Sequence, residues 1–295
     1  MAQFGRVSTA MVTPFDNKGN IDFKKTMKLV NHLINNGTDS LVVSGTTGES
    51  PTLTTEEKLA LFDHTVRAAD GRIPVIAGTG GNNTYQSIEL TKRAEQLGVD
   101  AIMLVAPYYN KPNQTGLYQH FASIAEATSL PVMLYNIPGR SAVNIHPETI
   151  IELSKIDNIV AVKEASGDLD AMAKIIAETD DNFVLYSGDD AFTLPVLSIG
   201  GVGVVSVASH IIGNELQEMV RYFLNGDHAN AALLHQRLLP LMRGLFHAPS
   251  PTPVKTALQL TGFDVGSVRL PLVPLTEDER LNLQTLLKAV KVSNC

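Results

Sequence analysis

Ile159-Val160-Ala161-Val162-Lys163-Glu164-Ala165-Ser166 is a run of small and β-branched residues that ends in a lysine. Asp157-Asn158 precedes it and Ser166-Gly167-Asp168 follows, so it reads as one short strand between turns. Apolar residues at successive positions, without alternation, describe a strand covered on both faces, as in a parallel sheet. A lysine in such a place must shed water or its proton. Its ordinary pKa of about 10.4 leaves it an ammonium and a poor nucleophile; desolvation favours the neutral amine, which attacks ketones to give a Schiff base. The competing reading is that Lys163 ends the strand and snorkels to solvent. Pairing with Glu164 is disfavoured, because neighbours in a strand point to opposite faces.

The same unit recurs along the chain. Strands are expected at Val7–Val12, Ser40–Ser44, Pro74–Ala77, Ala101–Ala106, Pro131–Tyr135, Ile159–Lys163, Phe183–Tyr186 and Val202–Val207. Segments of helical period follow each: Phe23–Asn36, Thr55–Ala69, Thr84–Leu97, Thr115–Thr128, Pro147–Ser154, Leu169–Glu178, Ala191–Ile199 and Asn214–Leu224. Eight strand–helix units in about 225 residues give an α/β protein of the (β/α)8 TIM-barrel class. A doubly wound sheet rarely repeats its unit so evenly. Thr54-Thr55-Glu56-Glu57 and Thr276-Glu277-Asp278-Glu279 offer capping boxes, and Asn36-Gly37 and Leu97-Gly98 offer helix stops. After Gly226 strand signals cease, and Asp227–Leu239, Pro253–Leu260 and Glu277–Val290 read as helices between proline-rich turns. The expected division is therefore a catalytic barrel over residues 1–226 and a C-terminal helical extension over residues 227–295.

Composition narrows the function. The 295 residues carry a formal net charge of −7 with both signs interspersed, which argues against nucleic acid or an anionic membrane as partner. Cys295 is the single cysteine, which leaves no intrachain disulfide, no Cys-His zinc cluster and no internal thiol nucleophile. The eight histidines are scattered without the spacing of a helical metal site; His64 and His120 fall on helices as surface or packing residues. The N-terminus lacks the regions of a signal peptide, and no apolar run reaches membrane-spanning length. These features together lead us to expect a cytoplasmic protein.

In a TIM barrel the active site lies at the C-terminal strand ends, so the polar residues there should converge. Ser44-Gly45-Thr46-Thr47-Gly48-Glu49-Ser50 places two hydroxyls between glycines, suited to a substrate carboxylate or, equally, to a tight turn whose threonines bond their own backbone. Gly78-Thr79-Gly80-Gly81 lacks the lysine of a P-loop and the Rossmann glycine pattern. Tyr108-Tyr109 offers a proton relay or rigid packing. Tyr135 ends a strand as an acid–base candidate, with Arg140 on a Pro-Gly turn supplying a planar fork for a carboxylate. Asp189-Asp190 fits metal or acid–base work, although helix capping is the commoner use. The run Gly201–Val207 is nearly all apolar and would help keep Lys163 dry.

Taken in order and spacing, Gly45-Thr46-Thr47-Gly48-Glu49, Tyr108-Tyr109, Tyr135–Arg140, Val162-Lys163-Glu164 and Ser187-Gly188-Asp189-Asp190 resemble the dihydrodipicolinate synthase family of pyruvate-dependent class I aldolases, over essentially the whole chain. The resemblance implies condensation of pyruvate with L-aspartate 4-semialdehyde through a Schiff base, in lysine and diaminopimelate biosynthesis, with no cofactor and no metal. It implies that Lys163 forms the imine and that Tyr135 is the acid–base group, relayed through Thr46 to Tyr109, which would serve the site of a partner subunit. It further implies that Thr47 and the backbone at Val205 hold pyruvate, that Gly188 lies against the substrate, and that Arg140 grips the semialdehyde carboxylate. The family usually assembles as a homotetramer, a dimer of tight dimers. N-acetylneuraminate lyase and 2-keto-3-deoxy sugar-acid aldolases are the alternative. The lyases tend to carry Ser-Thr at Thr46-Thr47 and lack an arginine matching Arg140. A non-enzymatic relative would be expected to lack Lys163 or Tyr135. Strongly lysine-inhibited members carry a histidine matching Thr55 or Lys58 and an acid matching Gln86; with only Ser50, Asn82 and Tyr108 retained, lysine inhibition is expected to be weak or absent.

Overall fold

A computed structural model describes residues 4–290. Cys295 and the end of the C-terminal segment lie outside the described residues. Eight parallel strands close in sequential order, from β1 (Val7–Ala10), β2 (Ser40–Val43), β3 (Val75–Gly78) and β4 (Ala101–Val105) through β5 (Val132–Asn136), β6 (Ile159–Glu164), β7 (Val184–Ser187) and β8 (Gly203–Ser206) back to β1. Closure rests on the pairs Val7–Val204, Ser8–Val205 and Thr9–Ser206. Side chains of alternate strand residues, among them Ala10, Val42, Ile76, Met103, Met133, Ala161 and Val205, form one buried cluster that fills the barrel. Phe4 joins this cluster, and the Tyr186 hydroxyl donates to Gly5 O at 3.0 Å and accepts from Phe4 N.

Around the barrel run α1 (Phe23–Asn35), α2 (Thr55–Ala69), α3 (Thr84–Glu95), α4 (Gln114–Glu126), α5 (Pro138–Ser141), α6 (Pro147–Leu153), α7 (Leu169–Glu178), α8 (Thr193–Ser198) and α9 (Ser209–Leu224). Both expected capping boxes are formed, Thr54 with Glu57 and Thr276 with Glu279. Gly37 and Gly98 take the left-handed conformation that stops a helix. His64 stacks on Phe23 with ring centroids 3.9 Å apart, and His120 is buried with Thr84 Oγ1 2.9 Å from Nδ1, so both are packing residues.

Four boundaries differ from the sequence reading, one being the helix expected to end at Leu239, which runs on to Gly244. The α9 helix starts at Ser209, five residues before Asn214, and bends at Ile212. Gly213 sits at that bend, where an added Cβ would lie 2.1 Å from Asn36 O. The Pro138-Gly139-Arg140 turn is a single helical turn, α5, with proline at its start. The segment expected as one helix from Ala191 is a 3₁₀ turn, Asp190–Phe192, running into α8.

After Gly226 come α10 (His228–Gly244), α11 (Thr252–Leu260) and α12 (Glu277–Ala289). Their apolar faces do not form a core of their own. Leu238, Leu241, Val254, Leu258 and Leu283 share one cluster with Val7 and Val204 of the strands and Leu29 and Leu33 of α1. A second cluster lies under α4, α6 and α7.

Barrel closure leaves no room at Gly203, where an added Cβ would meet Arg6 O at 2.1 Å. Arg6 O also accepts the amide of Val204 at 2.9 Å, so it cannot retreat without breaking the β8–β1 seam. Gly203→Ala is expected to destabilise the fold by at least the 1–3 kcal/mol typical of overpacking. Denaturant unfolding of the variant would measure this; an unchanged midpoint would contradict the tight seam.

Candidate active site

A cavity of about 270 Å³ opens at the C-terminal end of the barrel. Its wall includes Ser44, Gly45 and Thr46 after β2, Gly78 and Gly80 at β3, Met103 and Val105 of β4, Tyr108, Tyr135 of β5 and Arg140 of α5. The converging strand ends expected from the sequence are therefore together. Lys163, Thr47, Gly188 and Val205 are not in that wall.

Lys163 lies in register with Tyr135 on one side and Tyr186 on the other. Only 5% of it is exposed, and its Nζ is 4.0 Å from the centroid of the Tyr135 ring. Burial pulls its pKa down to about 7, opposed by the negative charge of Asp190 and aided by the positive charge of Arg140. Snorkelling is thereby ruled out. Tyr135 is pushed up to about 12 by its own burial; a hydrogen bond with Thr46 and the charge of Arg140 work against that rise, and Glu164 adds to it. The two side chains are driven to the same neutral state by one cause, the loss of water. Gly188 donates its amide to Glu164 O at 2.7 Å, and a Cβ there would stand 3.2 Å from Lys163 Cε. The glycine keeps the flank of the lysine clear.

Thr46 and Thr47 sit in a compact turn. Glu49 N bonds Thr46 O at 3.1 Å, Ser50 N bonds Gly45 O, and Thr13 Oγ1 ties down Gly48 O at 2.6 Å. Thr47 is buried, and Val205 is an interior residue of β8. Arg140 is exposed at the rim. Tyr108 and Tyr109 part company: Tyr108 is in the wall, while Tyr109 is 88% exposed on backbone with φ of +73°. Such a φ is uncommon outside glycine.

Of the paired aspartates, Asp189 caps the 3₁₀ turn through Ala191 N and meets Arg243 at 3.2 Å. Asp190 faces inward, fully buried, accepting from Ser206 Oγ and from the amides of Val207 and Ala208. Its burial raises its pKa, and it is the anion that acts on Lys163. Strand parity places Asp190 beyond β7 and gives no hint of this partner. Sequence reasoning also passed over Ser44, whose buried hydroxyl has no hydrogen-bond partner in the cavity wall. Among the described residues no group of three His, Cys, Asp or Glu side chains could hold a metal ion, and no helix is long and apolar enough to cross a membrane.

A separate cavity of about 270 Å³ shares Gly80 and Tyr108 with the first and is lined by Thr55, Lys58, Asn82 and Gln86 among others. Burial lowers the pKa of Lys58.

A model of the dihydrodipicolinate synthetase family matches residues 3–290. The chain belongs to that family. A 4-hydroxy-tetrahydrodipicolinate synthase of Bacillus subtilis (strain 168) is 68% identical over 283 residues, 96% of this chain and 98% of the relative. A 4-hydroxy-tetrahydrodipicolinate synthase 2 of Halalkalibacterium halodurans is 64% identical over 98% of this chain and 99% of its own length. Among solved structures, the dihydrodipicolinate synthase DapA-2 of Bacillus anthracis superposes with a TM-score of 0.96 at 63% identity, over 98% of this chain and 99% of that one. A lysine-bound family member from Cyanidioschyzon merolae gives 0.97 at 47% identity with the same coverage. The sugar-acid aldolase alternative is not favoured.

Burial of Lys163 predicts a specific titration. Its amine is protonated below pH 7 and free above it, so its reactivity should rise with pH and level off above about 7, rather than near 10. Competitive acylation followed by peptide mapping would report the midpoint. The folded-state pKa lies below the unfolded value, so the unfolded chain holds the extra proton. The group's unfavourable contribution is full below pH 7 in direction and fades as pH rises from there towards 10.5. Lys163→Met should accordingly raise the thermal midpoint at pH 7 while abolishing any imine; a lowered midpoint would contradict the burial penalty.

Proposed function

We propose that the protein is a 4-hydroxy-tetrahydrodipicolinate synthase, condensing pyruvate with L-aspartate 4-semialdehyde through a Schiff base on Lys163. The observation that carries this reading is a lysine buried beside Tyr135 at the barrel mouth, with its pKa brought to about 7. The family membership and the identity to named synthases support it. The neutral amine attacks C2 of pyruvate, and loss of water leaves a protonated imine. That cation acidifies the methyl group, which gives up a proton to form the enamine. The enamine carbon bonds to the aldehyde carbon of the semialdehyde, and the resulting alkoxide takes a proton. The semialdehyde's own amine then adds to the imine carbon and expels Lys163, which closes the ring and restores the free lysine.

The resemblance to the family supplies the roles, and the placing of Thr46, Tyr135 and Arg140 in one cavity wall supports them. Thr47, in the fixed turn it shares with Thr46, and the backbone at Val205 hold the keto acid, with Gly188 leaving it space against Lys163. A phenol with a pKa of about 12 does not act as a standing phenolate. Tyr135 therefore works as a neutral O–H that passes protons along a chain, through Thr46. Arg140 at the rim grips the second carboxylate. Tyr109, almost wholly exposed on strained backbone, is a group presented outward, and we assign it to the site of a partner subunit within a tight dimer, two of which make a homotetramer. A cytoplasmic location is part of the same proposal.

Borohydride reduction in the presence of pyruvate, followed by peptide mass mapping, is expected to place a pyruvyl adduct on Lys163; an unmodified Lys163 would overturn the reading. Arg140→Ala should lower kcat/KM for the semialdehyde by about ten- to a hundredfold, the effect of one charged hydrogen-bond partner, while leaving imine formation nearly intact. Equal loss of both would remove the assignment of Arg140. L-Lysine should inhibit weakly or not at all, since Lys58 brings a cation to the second cavity where Gln86 brings no acid. A sub-millimolar inhibition constant in initial-rate assays would refute that expectation.

A further inference from the structure

The turn that carries Thr46 and Thr47 ends on Glu49, in left-handed conformation at φ 57° and ψ 35°. No glycine relieves that backbone, so something must hold it. The holder comes from the far end of the chain. Lys255 of α11 places Nζ 2.6 Å from Glu49 Oε1, with both side chains at most 2% exposed. The same ammonium donates to Ser267 O at 2.8 Å and lies 4.1 Å from the centroid of the Phe15 ring. The other Glu49 oxygen accepts the amide of Arg269 at 2.9 Å. The Arg269 guanidinium then donates to Thr52 O and Gly19 O, each at 2.8 Å, and grips both oxygens of Glu57, which also caps α2. The pair is therefore enclosed with its charges matched, and the Gly45–Thr52 segment is held from the C-terminal region at Glu49 and at Thr52.

A buried ion pair contributes little net stability, because desolvating two charges offsets their attraction. What it does supply is a fixed geometry. Glu49 N bonds Thr46 O, so displacement of Glu49 carries the threonine turn with it. We infer that Glu49 and Lys255 are positioning residues for the keto-acid substrate: the ion pair between them sets the Gly45–Ser50 turn so that the Thr46 and Thr47 hydroxyls meet the substrate carboxylate already aligned. This rests on the reading of that turn as the carboxylate cradle. Neither side chain touches the substrate, and the effect passes through the backbone of the turn.

The test compares Lys255→Met, Glu49→Gln and the double variant Glu49→Gln/Lys255→Met with the unaltered protein, measuring thermal unfolding, pyruvate KM, kcat, and borohydride trapping on Lys163 at saturating pyruvate. Each single variant leaves one buried polar partner orphaned and should lower the thermal midpoint. The double variant should recover much of that loss. In all three, pyruvate KM should rise by about ten- to a hundredfold, the scale of a small misplacement at a reacting site, with kcat changing less and with trapping still reaching completion when pyruvate is saturating. Lys255→Arg, which keeps the charge, should recover part of the KM. An unchanged pyruvate KM in the double variant overturns the inference and leaves the pair a purely structural feature. If a single variant does not fold, the double variant decides. Failure of the unaltered protein to trap pyruvate would instead remove the proposed reaction, so the two failures are distinguishable.

Discussion

The exclusion of water from one amine is the constraint around which the structure is built. An ammonium at the buried position of Lys163 loses most of its hydration, and the surrounding charges only partly compensate: Asp190 favours the cation and Arg140 disfavours it. A closed parallel barrel is suited to this because its strands pair all the way round and leave no open edge, so a polar side chain can be enclosed without opening the wall to solvent. The interior residues below, Ala161 and Met133 among them, complete the dry floor. The same dehydration that frees the amine keeps the neighbouring phenol protonated, which is why the proton traffic needs a chain of hydroxyls rather than one strong base.

The barrel was legible because its strands are covered on both faces and so stand out as unbroken apolar runs, each followed by a helical period. Expected and observed strands agree to within about two residues at either end, which is the ordinary uncertainty of such boundaries. Where the reading slipped, the cause was a tertiary contact in one place and local backbone bonding in another. The Ser209 start of α9 is hidden because Ile212 departs from helical angles and Gly213 packs against Asn36 O. Pro138-Gly139 reads as a turn, yet Arg140 N and Ser141 N both bond Ile137 O, and the chain makes one helical turn.

The site was legible to the extent that strand ends announce it. Thr46, Tyr135 and Arg140 share one cavity wall, and Lys163 lies against Tyr135. The rest depends on pairs that no spacing reveals. Asp190 meets the first residues after β8, and Glu49 meets Lys255 across most of the chain. The C-terminal helices offered no catalytic motif and read as packing. They do pack, within the same cluster as α1 and the first strand, but Lys255 and Arg269 also reach from that region to the turn behind β2.

That reach has a consequence for how the molecule is made. During synthesis, residue 46 leaves the ribosome long before residue 269. A nascent chain whose eight strands had already emerged would still lack the ammonium and the guanidinium that hold its threonine turn, and the carboxylate of Glu49 would remain hydrated and free. Contacts joining such distant parts of a chain are closed late because of the loop entropy they must overcome. A fragment ending after α9 would thus lack the partners that set its first substrate-facing turn, so the cell meets a finished cradle only once translation is all but over.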